Sequence, residues 1–259
     1  MPNTPTAKEQ KAKYEMARFQ AWIWFLHLLA ILVLGFSLSP MIFFLVSVWR
    51  ACAAFPLAVK VLFFSSSIAF GYFLFGLTLI ALCVFTKNLF GFKIVPGLHS
   101  YHSWESLHWM AYNSMILLAN SAFLDVLRLS PFQTLFYRWM GARVGNNVNI
   151  NTGGLADLSL LDIGDNVTIG GGVALICHGA ERGFLRLAPT RIGTGASIGL
   201  NSVIMPDCQI GDGASIAPCS YLPKGTHIPP RGAWGGNPVH DLRAARRQAR
   251  DKLEFPEGS

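Results

Sequence analysis

Residues 192–234 read IGTGASIGLNSVIMPDCQIGDGASIAPCSYLPKGTHIPPRGAW. An apolar residue recurs at every sixth position: Ile192, Ile198, Ile204, Ile210, Ile216, Leu222, Ile228 and Trp234. Two residues ahead of most of them sits a small side chain: Ala196, Ser202, Cys208, Ala214, Ser220, Thr226, Gly232. Glycine often follows, at Gly193, Gly199 and Gly211. A helix repeats every 3.6 residues and a strand every two, so neither produces this period. A three-sided solenoid does, with each hexapeptide forming one flat face. The aliphatic residue then points inward, the small one fills the corner, and glycine permits the turn.

Upstream the repeat is imperfect: Val144, Ile150, then Ile163, Ile169, Leu175. The register slips between residues 151 and 162. It breaks again between Cys177 and Arg191, where a loop is expected to leave the coil. Three hexapeptides per turn predict about four coils with one excursion. The proline-rich stretch Pro223 to Pro238 closes the solenoid.

The rest of the chain has a different character. Hydrophobic residues make up 52% of the 259 and charged residues 14%, a balance that points to a membrane protein. Trp22 to Val48 and Ala58 to Phe85 are almost wholly apolar and long enough to cross a bilayer, with Pro40 an expected kink. No small-residue cleavage site follows the first run, so it reads as an anchor rather than a cleaved signal. Lys8, Lys11, Lys13 and Arg18 precede the pair, and Lys87 and Lys93 follow it. The positive-inside bias places both ends of the hairpin, and the solenoid, on the cytoplasmic side of an inner membrane. Residues 104–129 are apolar but carry Glu105, His108, Asn113, Asn120 and Asp125, which predicts an amphipathic helix lying in the cytoplasmic interface, or a re-entrant one. Four segments result: a tail and transmembrane hairpin over 1–97, interfacial helices over 98–141, the solenoid over 142–238, and a basic helical tail over 239–259. The net charge of +7 fits an anionic leaflet or an anionic co-substrate. No basic stripe interleaved with aromatics argues for nucleic acid.

His178 is the residue best placed for chemistry. It lies where the chain leaves the coil, and an imidazole can accept a proton from a hydroxyl or amine nucleophile. A solvent-facing loop histidine is the competing reading. Asp157 either binds an acceptor hydroxyl, orients His178, or is a turn aspartate. His99, His102, Glu105 and His108 recur at intervals of three, which rotates them around a helix rather than onto one face. They read as the polar edge of an interfacial helix, and no metal site is expected. Five cysteines show no paired spacing and read as buried, reduced thiols.

Residues 144–243 resemble the left-handed parallel β-helix of hexapeptide-repeat acyltransferases, and in detail the sugar O-acetyltransferases. His178, Pro189 and Ile192-Gly193 follow that family's order of catalytic histidine, loop, proline and re-entry into the coil. Gly236-Asn237-Pro238 matches its closing motif. The resemblance implies that Lys224, Arg243, Leu200 and Pro218 line an acyl-coenzyme A, most simply acetyl-CoA. It implies that Asn151 and Asp157 belong to the acceptor pocket and that the protein is a homotrimer. Pro223 stands where the family usually has threonine. A membrane hairpin, an aromatic amphipathic stretch and Trp234-Gly235-Gly236-Asn237-Pro238 together also resemble the membrane portion of polylysine-type nonribosomal peptide synthetases.

The expected activity is a membrane-anchored acyl transfer, from acyl-CoA to a hydroxyl or amine of a membrane-held glycan, lipid or similar acceptor, with His178 as base. Two alternatives stay open. One is an aminoacyl or peptide-bond-forming enzyme fed by a carrier-bound donor. The other is a non-catalytic trimeric scaffold.

Overall fold

The computed structural model describes residues 7–247, with side chains on the first helix followed from Lys13 onward apart from Gln10. The chain forms two compact units: residues up to Lys93 together with His102–Phe123, and Ile94–Tyr101 together with Leu124 onward.

The first unit is helical. α1 spans Ala7–Ala51 and α2 spans Leu57–Leu89. Both are long and apolar enough to cross a membrane. Pro40 lies inside α1 without ending it. Trp24, Leu28, Ile31, Phe36 and Phe43 of α1 and Leu62, Phe63 and Phe70 of α2 point outward, exposed. α3, Trp104–Ala119, begins at Ser103, whose hydroxyl accepts the Ser106 N–H at 3.3 Å. Its Leu107, Ala111, Met115 and Ile116 are buried at helical spacing. A single π-turn, Asn120–Leu124, follows. Trp22 Nε1–H donates to the Leu107 carbonyl at 3.0 Å, and the Tyr72 hydroxyl donates to the Ala122 carbonyl at 2.9 Å. Gly76 makes room for the Phe123 ring: a Cβ there would lie 2.0 Å from a ring carbon. The helix expected in the interface is thus packed along one face. The expected interfacial segment 98–141 divides in the structure, its start and end folding with the solenoid and its middle with the hairpin.

The second unit is a parallel β-helix. Its three faces are stacks of short strands. One comprises 143–144, 161–163, 190–192, 209–210 and 227–228. The next comprises 149–150, 168–169, 197–198, 215–216 and 233–235, and the third 174–175, 203–204 and 221–222. Ile192, Ile198, Ile204, Ile210, Ile216, Leu222 and Ile228 are all buried, as their spacing requires. Ala196, Ser202, Cys208, Ala214 and Ser220 fill the corners, also buried. Coils approach closely there: a Cβ on Gly199 would lie 2.4 Å from the Pro218 nitrogen. Trp234, in the last described coil, is only partly covered.

The opening coil is closed by α4, Pro131–Met140. Proline at its first position and Gly141 in the left-handed region at its end set its limits. Its buried face is Gln133, Phe136, Tyr137 and Met140. Gln133 Nε2–H donates to the Thr152 carbonyl at 2.8 Å, and Arg138 reaches the carbonyls of Val144 and Gly145 at 3.0 and 2.6 Å. Such a cap shields the end of a stack that would otherwise expose apolar edges. At the other end, residues 242–247 are helical, and the remainder of the expected basic tail, with Arg250 and Lys252, lies outside the described residues.

One cysteine departs from expectation. Cys52, Cys83, Cys177 and Cys208 are buried, but Cys219 is exposed, because it occupies a turn position at φ 57° between two faces. Burial pushes the Cys177 thiol up to about 12 and raises that of Cys208. Brief maleimide treatment of the native protein at neutral pH is expected to give one adduct, on Cys219, by peptide mass spectrometry. Equally fast modification of Cys177 or Cys208 would contradict the corner packing.

Candidate functional site

The two interruptions of the repeat meet at one corner of the β-helix. In the first coil Leu155, only five residues after Ile150, takes the inward place and bridges to Leu175. The chain then needs eight residues to reach Ile163, and the surplus forms a short 3-10 turn, Leu158–Leu160. Asp157 opens that turn in the left-handed region, at φ 54°. A non-glycine residue adopts this conformation at a cost, and aspartate tolerates it better than most.

One coil later the chain leaves at the same corner. The excursion is a β-hairpin, 178–181 and 184–187, turning at Arg182-Gly183 with both φ values positive. His178 is its first residue. Its Nδ1–H donates to Asp157 Oδ2 at 2.6 Å, and the same oxygen accepts the Cys177 N–H at 2.9 Å. Asp157 is wholly enclosed, while about a quarter of the His178 side chain stays exposed. A proton held on Nδ1 by the carboxylate leaves Nε2 with a lone pair, the tautomer a general base needs.

Further along the same corner lies Lys224. Its ammonium pairs with Glu181 of the hairpin and lies beside Gly179. That pairing holds the Glu181 carboxyl below its ordinary range. A second pair, Arg186 with Asp207 at 3.4 Å, also ties the hairpin to the coil.

The other expected site residues lie elsewhere. Leu200 and Pro218 occupy successive turns at the neighbouring corner, both exposed, and the Cys219 N–H donates to the Leu200 carbonyl at 2.8 Å. Asn151 stands at that same corner two coils before Leu200, its N–H bonded to the Ile169 carbonyl at 3.0 Å. Between the two corners runs one face whose outward residues are apolar and partly covered: Ala174, Ile176, Val203, Met205, Tyr221 and Pro223. His178 and Lys224 thus bound one margin of an apolar panel, and Leu200 and Pro218 bound the other. Arg243 sits beyond the last strand pair, its N–H bonded to Asp241 Oδ1 at 2.8 Å.

Among the described residues no cluster of three or more histidine, cysteine or carboxylate side chains is arranged to hold a metal ion. His99 lies on a strand, with Nε2 2.8 Å from the Val95 carbonyl, and His108 stacks on Trp22. The repeat-based reading missed Leu155 and the strand 97–100, which pairs antiparallel with 184–187 as the third strand of the hairpin sheet.

The sequence model of the bacterial transferase hexapeptide (six repeats) matches residues 189–224. Over 139 residues the chain is 25% identical to delta-poly-L-ornithine synthetase of Acinetobacter baumannii (strain AB307-0294), covering 52% of this chain and 10% of that one. Over 142 residues it is 26% identical to YvoF of Bacillus subtilis (strain 168), which carries the name of an acetyltransferase, covering 51% of this chain and 81% of that one. The chain therefore spans about a tenth of the first relative and most of the second. Among solved structures it is similar to the hexapeptide-repeat acetyltransferase VCA0836 of Vibrio cholerae O1 biovar eltor complexed with acetyl coenzyme A. The identity is 26%, the TM-score is 0.37, and the match covers 40% of this chain and 60% of that one.

Proposed function

We propose that the protein is an acyltransferase anchored in a bilayer, moving an acyl group from an acyl-CoA thioester to a hydroxyl or amine. The observation that carries this reading is the Asp157–His178 pair, a buried carboxylate 2.6 Å from Nδ1 of a partly exposed imidazole. Nε2 takes the proton of the acceptor as its oxygen or nitrogen attacks the thioester carbonyl. Asp157 stabilises the imidazolium that forms; the carbon–sulfur bond then breaks, and the imidazolium returns the proton to the departing sulfur, so that coenzyme A leaves as its thiol. The apolar panel from His178 to Leu200 suits the thin, uncharged arm that carries a thioester. Lys224 and Arg243 are cations for the phosphates of the donor, Asn151 is assigned to the acceptor side, and the wholly enclosed Asp157 bears on the acceptor only through His178. Assembly as a homotrimer is part of the proposal and rests on the resemblance.

The acceptor is proposed to be held in the membrane, as a lipid-linked glycan, a lipid or a similar molecule. Trp24 and Trp49 of α1 are 25 positions apart, about 37 Å along a helix at ~1.5 Å per residue. That separation brackets a hydrocarbon core of about 30 Å and puts an aromatic ring at each interface. Lys60 lies over the Trp49 ring at 5.9 Å, and Arg18 over the Trp104 ring at 4.9 Å, adding a cation at each end. Large outward apolar side chains between them have no aqueous rationale. Both termini and the β-helix are assigned to the cytoplasmic side.

Purified protein in detergent, given radiolabelled acetyl-CoA and native membrane extract, is expected to transfer label to an extractable lipid or glycan fraction. Absence of coenzyme A binding, with capture of a carrier protein instead, would favour an aminoacyl-transferring enzyme. Binding of neither would leave a scaffold.

A further inference from the structure

The hairpin that carries His178 is a three-stranded antiparallel sheet in the order 97–100, 184–187, 178–181. Residue alternation divides its two faces. Leu185 and Leu187, on one face, are fully buried. The other face carries Leu98 and Ser100, Phe184 and Arg186, Gly179 and Glu181, which stand opposite one another in the register; along its 178–181 edge Lys224 lies against Gly179 and pairs with Glu181, so the part left open is the patch around Leu98 and Phe184. A sheet face turned to water is ordinarily polar. Here Leu98 is 68% exposed and Phe184 48% exposed, diagonal neighbours on adjacent strands, with Val95 exposed just ahead of them.

The charges around this patch are uneven. Arg182 stands exposed at the hairpin tip. Glu181 is taken up by Lys224 and Arg186 by Asp207, so the uncompensated charge at the tip is positive. The outer strand also follows α2 closely in the chain, Val95 lying six residues after Leu89.

We propose that this exposed patch rests on an anionic bilayer surface. Leu98 and Phe184 enter the headgroup region, and Arg182 pairs with lipid phosphate. The strand 97–100 thereby holds the hairpin bearing His178 at the membrane surface, where a lipid-borne acceptor arrives. Apolar anchors beside basic residues are the composition of interfacial contacts. The inference rests on the reading of α1 and α2 as membrane spans, and the experiment separates the two.

In a Cys219→Ser background, single cysteines at Leu98, Phe184, Leu32 and Ser215 are labelled with an environment-sensitive fluorophore. The full chain is placed in nanodiscs of phosphatidylcholine and phosphatidylglycerol carrying a nitroxide-labelled lipid. Leu32 points outward from α1 and Ser215 from a polar face of the β-helix. Lipid quenching is expected at 98, 184 and 32 and not at 215. Raising salt from 0.1 to 1 M is expected to weaken it at 98 and 184 only. Quenching at 32 alone overturns the inference and leaves the spans standing. No quenching at 32 overturns the reading of the spans. Probes at 98 and 184 shielded from water but not quenched by lipid mean that protein covers the face, which also overturns the inference.

Discussion

His178→Ala is expected to lower the rate of acyl transfer by about 10²–10⁴-fold, the usual contribution of a positioned general base. The loss falls on kcat, because the side chain acts on a proton that moves only in the transition state. The fold is expected to tolerate the change. His178 is partly exposed, and its backbone pairing with Leu187 does not need the ring. Asp157→Asn separates orientation from charge. Asp157 Oδ2 takes the contacts from His178 and Cys177, at 2.6 Å from Nδ1 and 2.9 Å from the Cys177 nitrogen. An asparagine oxygen in that place still accepts from Nδ1–H and from the Cys177 N–H and keeps the proton on Nδ1, but it no longer offsets the charge of the imidazolium. A hydrogen bond to a charged group exceeds a neutral one by roughly 1–1.5 kcal/mol, so a loss of about tenfold is expected. Steady-state transfer of labelled acetyl groups in proteoliposomes measures both. A His178→Ala enzyme within about threefold of the parent would remove the proposed base.

The solenoid was legible because its geometry is local and repetitive. Each inward residue from Ile192 to Ile228 answers to the same six-residue rule, and all seven are buried. The place of His178 at the exit from the coil was legible for the opposite reason, as a break in that rule. The rule also hid things. Leu155 arrives one residue early, and the register recovers only through the turn at Asp157, so the strand partner of Leu175 was passed over. The strand 97–100 pairs with residues more than eighty positions later and has no periodic pattern of its own. Such pairing depends on a tertiary partner, which propensity cannot supply. α3 carries polar residues that suggested an interface, yet Leu107, Ala111 and Met115 are enclosed. A polar edge and a packed face coexist on one amphipathic helix, and sequence alone does not say what the apolar face packs against.

Ile204→Ala is expected to destabilise the β-helix by about 2–5 kcal/mol, toward the upper part of that range. Ile204 has no solvent exposure and sits in register between Leu175 on one coil and Leu222 on the next. Removing its outer carbons leaves a void that the structure is poorly able to close. Collapse would require adjacent coils to move, and these are tied at fixed spacing, for example by Ile176 N–H to the Ile204 carbonyl at 3.1 Å and Met205 N–H to the Leu222 carbonyl at 3.1 Å. Ile228 makes the comparison. It is nearly as buried, but its strand pairs only with 209–210, among the described residues, so it has a coil on one side alone. Solenoid stability is close to a sum of nearest-neighbour terms, so Ile228→Ala disturbs one interface where Ile204→Ala disturbs two. For a unit of this size each kcal/mol moves the unfolding midpoint by roughly 2–4 °C. Thermal unfolding followed by circular dichroism is therefore expected to show a larger fall for Ile204→Ala than for Ile228→Ala. Equal falls would mean that the coils do not share load through the stacked inward residues. The loss at Ile204 also bears on the site, since its neighbour Leu175 lies three residues ahead of His178 on the same coil. A coil loosened there shifts the imidazole relative to Asp157, and a misplacement near 1 Å is enough to cost catalysis about 10²-fold.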